Sequence, residues 1–150
     1  FHFNDSKYGD DDLTVGSIKP YQLYLIFLEL VSGLADPTVV NPPISYMIDA
    51  SHNVKDPLED LLQSVEAIQI AYAQALMVDD LALEEARSAN DVVRAQEILQ
   101  NAFRTDVRAL VAEARLRSGA ALNPLSLYRD LAVRKELIKM RGFNSVATGL

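Results

Sequence analysis

Two histidines, His2 and His52, are the first residues to test for metal chemistry, because helical bundles often bind two metal ions through inward glutamates and Glu-x-x-His pairs. Neither histidine has a glutamate three residues before it. Asp49 does precede His52 by three residues, but both lie in a stretch rich in turn formers and no second such pair exists. Surface histidines are therefore the favoured interpretation, and the sequence predicts no metal site and no other cofactor.

Carboxylates are abundant, and two groups of them are candidates for a calcium site and for a paired-acid catalytic site. The run Asp10 to Asp12 suggests calcium, yet the residues around Gly9 do not provide the ligands that an EF-hand loop requires. Acidic side chains that could share a helical face, as paired-acid catalysis requires, are Asp79, Asp80, Glu84 and Glu85. A solvated acidic arm is the stronger interpretation of the first group. The second group is better explained by the helix dipole, which favours acidic residues near a helix start.

The sequence contains no motif typical of nucleophilic catalysis or of nucleotide binding. The chain has no cysteine, which removes thiolate nucleophiles, disulfides and cysteine-based zinc sites. It contains no Gly-x-Ser-x-Gly turn, P-loop or Gly-x-Gly-x-x-Gly turn. Asn4, Asp5 and Ser6 match only the triplet for N-glycosylation, which is a weak signal. The sequence therefore predicts that the protein is not an enzyme, and an enzyme whose loop residues meet in a pocket is a minor alternative.

The last third of the chain is basic and could contact phosphate or an acidic partner. Residues 1–100 carry 5 basic and 17 acidic side chains, whereas residues 101–150 carry 9 basic and 4 acidic ones, within a net charge of −7. The candidate contacts are Arg104, Arg108, Arg129, Arg134, Lys135, Lys139 and Arg141. Acidic residues at helical spacing accompany several bases here, and few aromatic residues lie nearby for base stacking. Nucleic acid is therefore the minority interpretation of this region.

Helix signals dominate the segments that must position these residues. Proline opens helices near Pro20, Pro57 and Pro124, and apolar residues then recur at steps of three and four. No alternating segment of strand length competes with them. The sequence predicts an all-α bundle of four to five helices, with an extended polar N-terminal arm and a short C-terminal tail.

Several boundaries stay open within this scheme. Residues 35–56 are rich in proline and asparagine and predict a long connection, in which Asn41 could start one short helix through Met47. Residues 80–118 form either one long bent helix or two pieces. The final helix is expected to end at Gly142.

The predicted domain organisation is a flexible acidic arm over residues 1–16, one helical domain over residues 17–142 and a tail over residues 143–150. With 49% hydrophobic residues, the chain can bury one continuous core. We expect a soluble protein without a signal peptide or a transmembrane segment, because the longest apolar run is shorter than the about 20 residues that span a bilayer. The sequence does not indicate the cellular compartment.

The leading functional prediction is a non-enzymatic structural protein that self-associates into a ring or filament. The first helix is apolar on every side, and an acidic arm could contact the basic end of a neighbouring copy. The predicted self-association residues are Asp10, Asp11, Asp12, Tyr24, Phe27 and Leu28. The expected partners are therefore further copies of the chain or other protein subunits.

Two other classes of binding protein compete with this prediction. An adaptor, such as a secretion or assembly chaperone, would receive a partner helix in an apolar groove. A helical capsid or nucleoprotein subunit would line a phosphate channel with the basic C-terminal third.

Overall fold

The computed structural model of the protein describes residues 1–9, 11–38, 40, 44–50 and 56–140. In these ranges it contains seven helices and one sheet of two parallel strands. The helices are α1 (Pro20–Ala35), α2 (Pro57–Ala75), α3 (Asp80–Ser88), α4 (Val92–Arg104), α5 (Arg108–Arg117), α6 (Pro124–Arg129) and α7 (Leu131–Met140). The strands are β1 (His2–Phe3) and β2 (Met47–Ile48). The all-α prediction is confirmed, because helices provide nearly all of the regular structure.

The chain divides into two compact units, Phe1–Val111 and Ala112–Leu150, and the division falls within α5. The bounds expected for an arm, a domain and a tail stay a prediction, and the tail lies outside the described residues. No single described helix is long and apolar enough to span a membrane. Only α2 taken together with α3, which bends away from it by 67°, reaches that length and composition.

Helix α1 lies at the centre of the first unit. Pro20 stands in its first turn, where a missing N–H costs no hydrogen bond. Four of its side chains are buried and pack with residues of α2, α3 and α4: Leu23, Tyr24, Phe27 and Leu28. Each contributes on the order of 1.5–3 kcal/mol by burial.

Helix α2 begins where the sequence predicts, but it turns an unexpected side toward the core. Asp56 caps its start by accepting a hydrogen bond from the Glu59 amide at 3.2 Å. The buried side includes polar Asp60 and Ser64. Large side chains of the predicted apolar stripe remain substantially exposed: Val65, Tyr72 and Leu76. The core therefore takes the small and polar side of α2, because α1 packs closely against it.

Residues 80–118 form three helices, where one or two were predicted. Asp79 and Asp91 cap the starts of α3 and α4 by accepting hydrogen bonds from the amide of the third residue of each helix, at 3.0 and 2.9 Å. Asn90 joins these helices with a φ of 54°, a left-handed conformation that asparagine tolerates. Helix α4 ends at Arg104, and the Gln74 side chain donates a hydrogen bond to the Phe103 carbonyl there.

The two strands flank α1 in the chain and pair in parallel, with His2 opposite Met47 and Phe3 opposite Ile48. This is a β-α-β arrangement, because parallel strands need a crossover connection between them. The suggested short helix through Met47 is therefore wrong over residues 44–47, because residues 44–46 are not helical and Met47 belongs to β2. Residues 41–43, where that helix would begin, lie outside the described part.

The segment for which the sequence predicts an arm packs onto α1 and α2. Phe3 stacks on Phe27 with ring centres 5.3 Å apart, and Val15 is 2% exposed. The Val15 amide donates to the Ser64 hydroxyl at 3.1 Å, and the Thr14 hydroxyl donates to the Asp60 carboxylate. The polar side of α2 thus provides the acceptors for this segment.

In the second unit, α6 and α7 replace the single final helix that was predicted. Asn123 caps α6 by accepting from the Ser126 amide at 2.9 Å. Helix α6 ends before Asp130. The Asp130 side chain accepts a hydrogen bond from the Ala132 amide at 3.0 Å, at the start of α7. The expected end at Gly142 lies outside the described residues.

Candidate functional site

Polar side chains follow both strands at the point where each strand ends. Asn4, Asp5 and Ser6 come directly after β1, and Asp49 comes directly after β2. The carboxyl ends of parallel strands meet at one edge of a sheet, and this edge is where α/β proteins bind their ligands. These residues, together with His2, form what we call the strand-end cluster.

An imidazole and a carboxylate meet across the two strands. His2 Nδ1 lies 3.7 Å from the Asp49 Oδ2 atom, and their side chains are 64% and 63% exposed. Because Phe3 faces the core, strand alternation places His2 on the opposite, open side of the sheet. The distance is longer than a hydrogen bond, so the carboxylate lies near one imidazole nitrogen and leaves the other nitrogen available for proton transfer or a hydroxyl.

Asp5 fixes the geometry of the cluster from inside the protein. Its carboxylate is buried and accepts hydrogen bonds from the amides of Ser6 at 2.9 Å, Ile18 at 2.8 Å and Lys19 at 2.8 Å. Its backbone also pairs with that of Leu13 through two hydrogen bonds. These bonds tie the loop after β1 to the start of α1 and hold the strand end in place.

Asn4 is held by the same loop from the other side. Its side-chain Nδ2 donates to the Asp12 carboxylate at 2.9 Å. Asp11 accepts from the Tyr8 amide at 2.9 Å, so two of the acidic residues predicted for self-association form hydrogen bonds within their own loop. Asp10, the third of them, lies outside the described residues.

A groove of about 300 Å³ adjoins the cluster along β1. Its polar lining combines carboxylate, amide, hydroxyl, imidazole and ammonium groups, provided by His2, Asn4, Asp5, Ser6, Lys19 and Gln22. Leu23 and Ile26 of α1 supply apolar wall. This mixture suits a small molecule that carries several hydroxyl groups on a carbon skeleton. In the part of the chain that the structure describes, no three His, Asp or Glu side chains group as metal ligands do.

A second cleft, of about 380 Å³, lies between the end of α1 and α3. Asp80 and Glu84, from the paired-acid candidate, line it, but Asp79 caps α3 and Glu85 lines neither of these two hollows. Asp36 also lines the cleft, and hydrogen bonds from Thr38 lower the pKa of its carboxyl. The carboxylates therefore serve mainly helix ends and turns.

The apolar residues predicted for self-association lie inside the first unit's own core. Tyr24 is 0% exposed, and Phe27 and Leu28 are also buried. The Tyr24 hydroxyl donates to the Leu99 carbonyl at 3.1 Å, and burial, with a smaller effect of neighbouring Tyr21, raises its pKa to about 12. The first helix thus buries within this chain the surface that motivated the prediction.

The predicted phosphate contacts fall into both units. Arg104 and Arg108 belong to the first unit, where Arg108 pairs with Asp106 at 3.1 Å. The second unit holds the described bases Arg129, Arg134, Lys135 and Lys139. Arg141 lies outside the described residues. A role in contacting phosphate or an acidic partner stays a prediction for these residues.

The strand-end cluster was missed by sequence reasoning. Asn4, Asp5 and Ser6 were considered as a glycosylation triplet, and Asn4 and Ser6 also as positions of a calcium loop that does not match. Asp49 was considered as a neighbour of His52, which lies outside the described residues. Strands of two residues leave no alternation to detect. The available signal is that polar residues follow two short segments with large apolar residues, Phe1–Phe3 and Tyr46–Ile48, on both sides of a strong helix.

Comparison with known proteins identifies two close relatives. The chain is 49% identical over 142 residues to a probable sugar isomerase of Mesorhizobium japonicum, and 48% identical over 141 residues to a probable sugar isomerase of Rhizobium meliloti. Each match covers 94% of this chain and 33% of the relative, so the chain spans about a third of the length of the curated relatives it matches. No protein-family model matches the chain.

These relatives overturn two predictions made from the sequence. Both carry the name of an enzyme, so the prediction of a non-enzymatic structural subunit of a ring or filament is wrong, as is the prediction that the protein is not an enzyme. The physical reason is that local spacing was used as the test for chemistry. The polar groups of this chain that come together do so from two strands separated by α1.

Proposed function

We propose that this chain is a part of a sugar isomerase that contributes the strand-end cluster to the substrate site. The observation that carries the proposal is the 48–49% identity to two probable sugar isomerases along nearly the whole chain. Each match covers 94% of the chain. The residues that follow β1 and β2 lie at the carboxyl ends of parallel strands, which is where enzymes with parallel sheets bind their ligands.

The chemistry of the cluster suits the handling of a sugar. Isomerisation of a sugar moves hydrogen between neighbouring carbon atoms and shifts a proton on their oxygen atoms. His2, beside Asp49, takes up or returns a proton at its free ring nitrogen. Asn4 donates to or accepts from a sugar hydroxyl, and the apolar wall of the groove faces the carbon skeleton.

Asp49→Asn tests the proposal directly. The protein, expressed at the full length that its gene encodes, is incubated with a panel of aldoses and ketoses, and the interconversion is followed by NMR. We expect turnover of at least one sugar, and a fall in kcat/KM of about 100-fold or more in the variant, because an amide cannot stabilise the imidazolium. Circular dichroism should be unchanged, since Asp49 is exposed.

The matched control is Glu84→Gln in the second cleft. This change also replaces an exposed carboxylate by an amide, so it alters the net charge by the same amount. We expect it to leave kcat/KM within about twofold. Absence of turnover with every sugar, or equal activity of both variants, would contradict the proposal.

A further inference from the structure

Lys19 is held beside the strand-end cluster by its own backbone. The Asp5 carboxylate, in the second residue after β1, accepts hydrogen bonds from the amides of Ile18 and Lys19, each at 2.8 Å. Because the fold fixes Lys19 through its amide, the position of this residue does not depend on the chemistry of its side chain. The Lys19 side chain therefore starts from the carboxyl end of β1, where the cluster lies.

The groove that adjoins the cluster is polar at one end and apolar at the other. Helix α1 connects two parallel strands, so it runs in the direction opposite to them and its first residues lie near the strand ends. Lys19 and Gln22 line the groove from the start of α1, whereas Ile26 lines it one turn later. On the strand side, Asn4 and Ser6 belong to the polar end. A sugar, which carries several hydroxyl groups, is therefore expected at the end of the groove that Lys19 lines.

The Lys19 side chain makes no ion pair or hydrogen bond with the residues that the structure describes. It is exposed, and it does not cap α1. Asp5, the carboxylate that lines the same groove, accepts hydrogen bonds from three backbone amides. The fold thus engages the charge of Asp5, and the Lys19 ammonium keeps its three N–H donors for a molecule in the groove.

We propose that Lys19 is a substrate-binding residue, whose ammonium donates a hydrogen bond to one hydroxyl oxygen of the sugar. That hydroxyl lies away from the two reacting carbon atoms, which are placed beside His2 and Asp49. An ammonium has donors and no acceptor, so it binds an oxygen lone pair, and a site that donates to a hydroxyl rejects the analogue that lacks it. Lys19 thus selects among sugars by the presence of one hydroxyl group. This role rests on the proposed function and adds a specificity-determining residue to it.

Lys19→Met removes the ammonium and keeps the backbone amide that binds Asp5. The protein at its full encoded length is assayed by NMR with the sugar of the panel that the wild type converts fastest. We expect kcat/KM to fall by about 10- to 100-fold, the effect typical of a hydrogen bond from a charged group. A fall of less than about twofold overturns the proposed contact. Circular dichroism shows that the variant is folded.

Lys7→Met is the matched control, because it removes the same charge from a neighbouring part of the chain. The Lys7 ammonium lies 5.2 Å from the centre of the Tyr8 ring, and Lys7 is not among the residues that line the groove. We expect kcat/KM of this variant to stay within about twofold of the wild type. Equal losses in the two variants mean that net charge causes the effect, and they overturn the proposed contact with the sugar.

Monodeoxy analogues of the same sugar identify the hydroxyl group that Lys19 contacts. Each analogue lacks one hydroxyl away from the two reacting carbon atoms. For the analogue without the contacted hydroxyl, we expect Lys19→Met and the wild type to agree within about twofold, because neither then forms the bond. The other analogues should show the full loss. The same loss with every analogue means that Lys19 contacts none of these groups and overturns the proposal. Sugars are compared within each variant, so a smaller folded fraction cancels.

The proposed function and the role of Lys19 fail with different outcomes. If the wild type converts no sugar of the panel, both are overturned. If the wild type converts a sugar and Lys19→Met converts it equally well, the role of Lys19 alone is overturned.

Discussion

The segment β1-α1-β2 and the run of helices from α2 to α4 are held together in different ways. In the helical run, each helix starts with an aspartate that caps a nearby amide, and the interactions are local. In the segment around the strands, buried polar groups join residues that are distant in the chain, such as Val15 and Ser64. The candidate site lies in the segment around the strands, where a few buried polar side chains position many backbone groups.

This difference predicts where a single substitution has its largest effect. A local interaction supports one helix end, whereas a buried polar group in the strand segment supports several turns of chain at once. The strand segment should therefore be the more sensitive to polar truncation, and the helical run the more tolerant.

Asp5→Ala is expected to give the largest loss of stability. Three backbone amides lose a charged acceptor in a buried position, which should cost at least about 3 kcal/mol. Urea unfolding measures the change, and Asp11→Ala, which removes one acceptor from the same loop, is the control. A loss no larger than that of the control would remove Asp5 as the anchor of the segment.

Tyr24 should make the first unit sensitive to alkali. Its pKa in the folded state, about 12, is above the ordinary value of about 10, so its stabilising effect is complete below pH 10 and is lost as pH rises to 12. The loss amounts to about 3 kcal/mol. The free energy of unfolding, measured between pH 10 and 12, should decline in this way in the wild type and less in Tyr24→Phe. Parallel curves for these two proteins would contradict the prediction. Tyr8→Phe, at an exposed position, is the control and should follow the wild type.

Ser64→Ala should have an intermediate effect. The Ser64 hydroxyl is fully buried and accepts from the Val15 amide, so its removal leaves a buried donor unpaired at a cost of about 1–3 kcal/mol. Gln63→Ala, at the exposed neighbouring position, should stay within about 0.5 kcal/mol. Equal midpoints of urea unfolding for both variants would mean that α2 does not hold the N-terminal segment.

Asp91→Ala should have the smallest effect of these changes. It removes the cap of α4 and its bond to the Arg94 amide, which is worth about 1 kcal/mol. Thermal unfolding compared with exposed Gln96→Ala, on the same helix, measures the difference. A loss as large as that of Asp5→Ala would break the contrast between the two regions.

Much of the helical run could be predicted from the sequence because its signals are local. Asp56 followed by Pro57 marked the start of α2, and Asn123 followed by Pro124 marked that of α6. The breaks at Asn90 and Asp130 were harder to predict, since both residues are also compatible with a continuing helix. Such breaks depend on packing that local propensity does not include.

The orientation of the helices and the candidate site were beyond local signals. Tyr24 and Phe27 were predicted to take part in self-association but are buried in the first unit, since an apolar helix does not reveal which of its sides the rest of the chain covers. Ser64 of α2 is buried although it is polar, so its residue type does not indicate its position in the core. Asp49 approaches His2 only when β2 pairs with β1, so no spacing within one segment contains the pair.

The parallel pairing of β1 with β2 also sets an order of events during synthesis. β1 leaves the ribosome first, but its partner follows only after the whole of α1, so the two strands cannot meet as a hairpin. Contacts between such distant segments carry a loop-closure cost and form slowly. Phe3 and its partner Ile48 in β2 are therefore expected to come into contact later than the apolar residues of α3 and α4, which are joined by one short turn. The strand-end cluster therefore cannot form before α1 and β2 have both been synthesised.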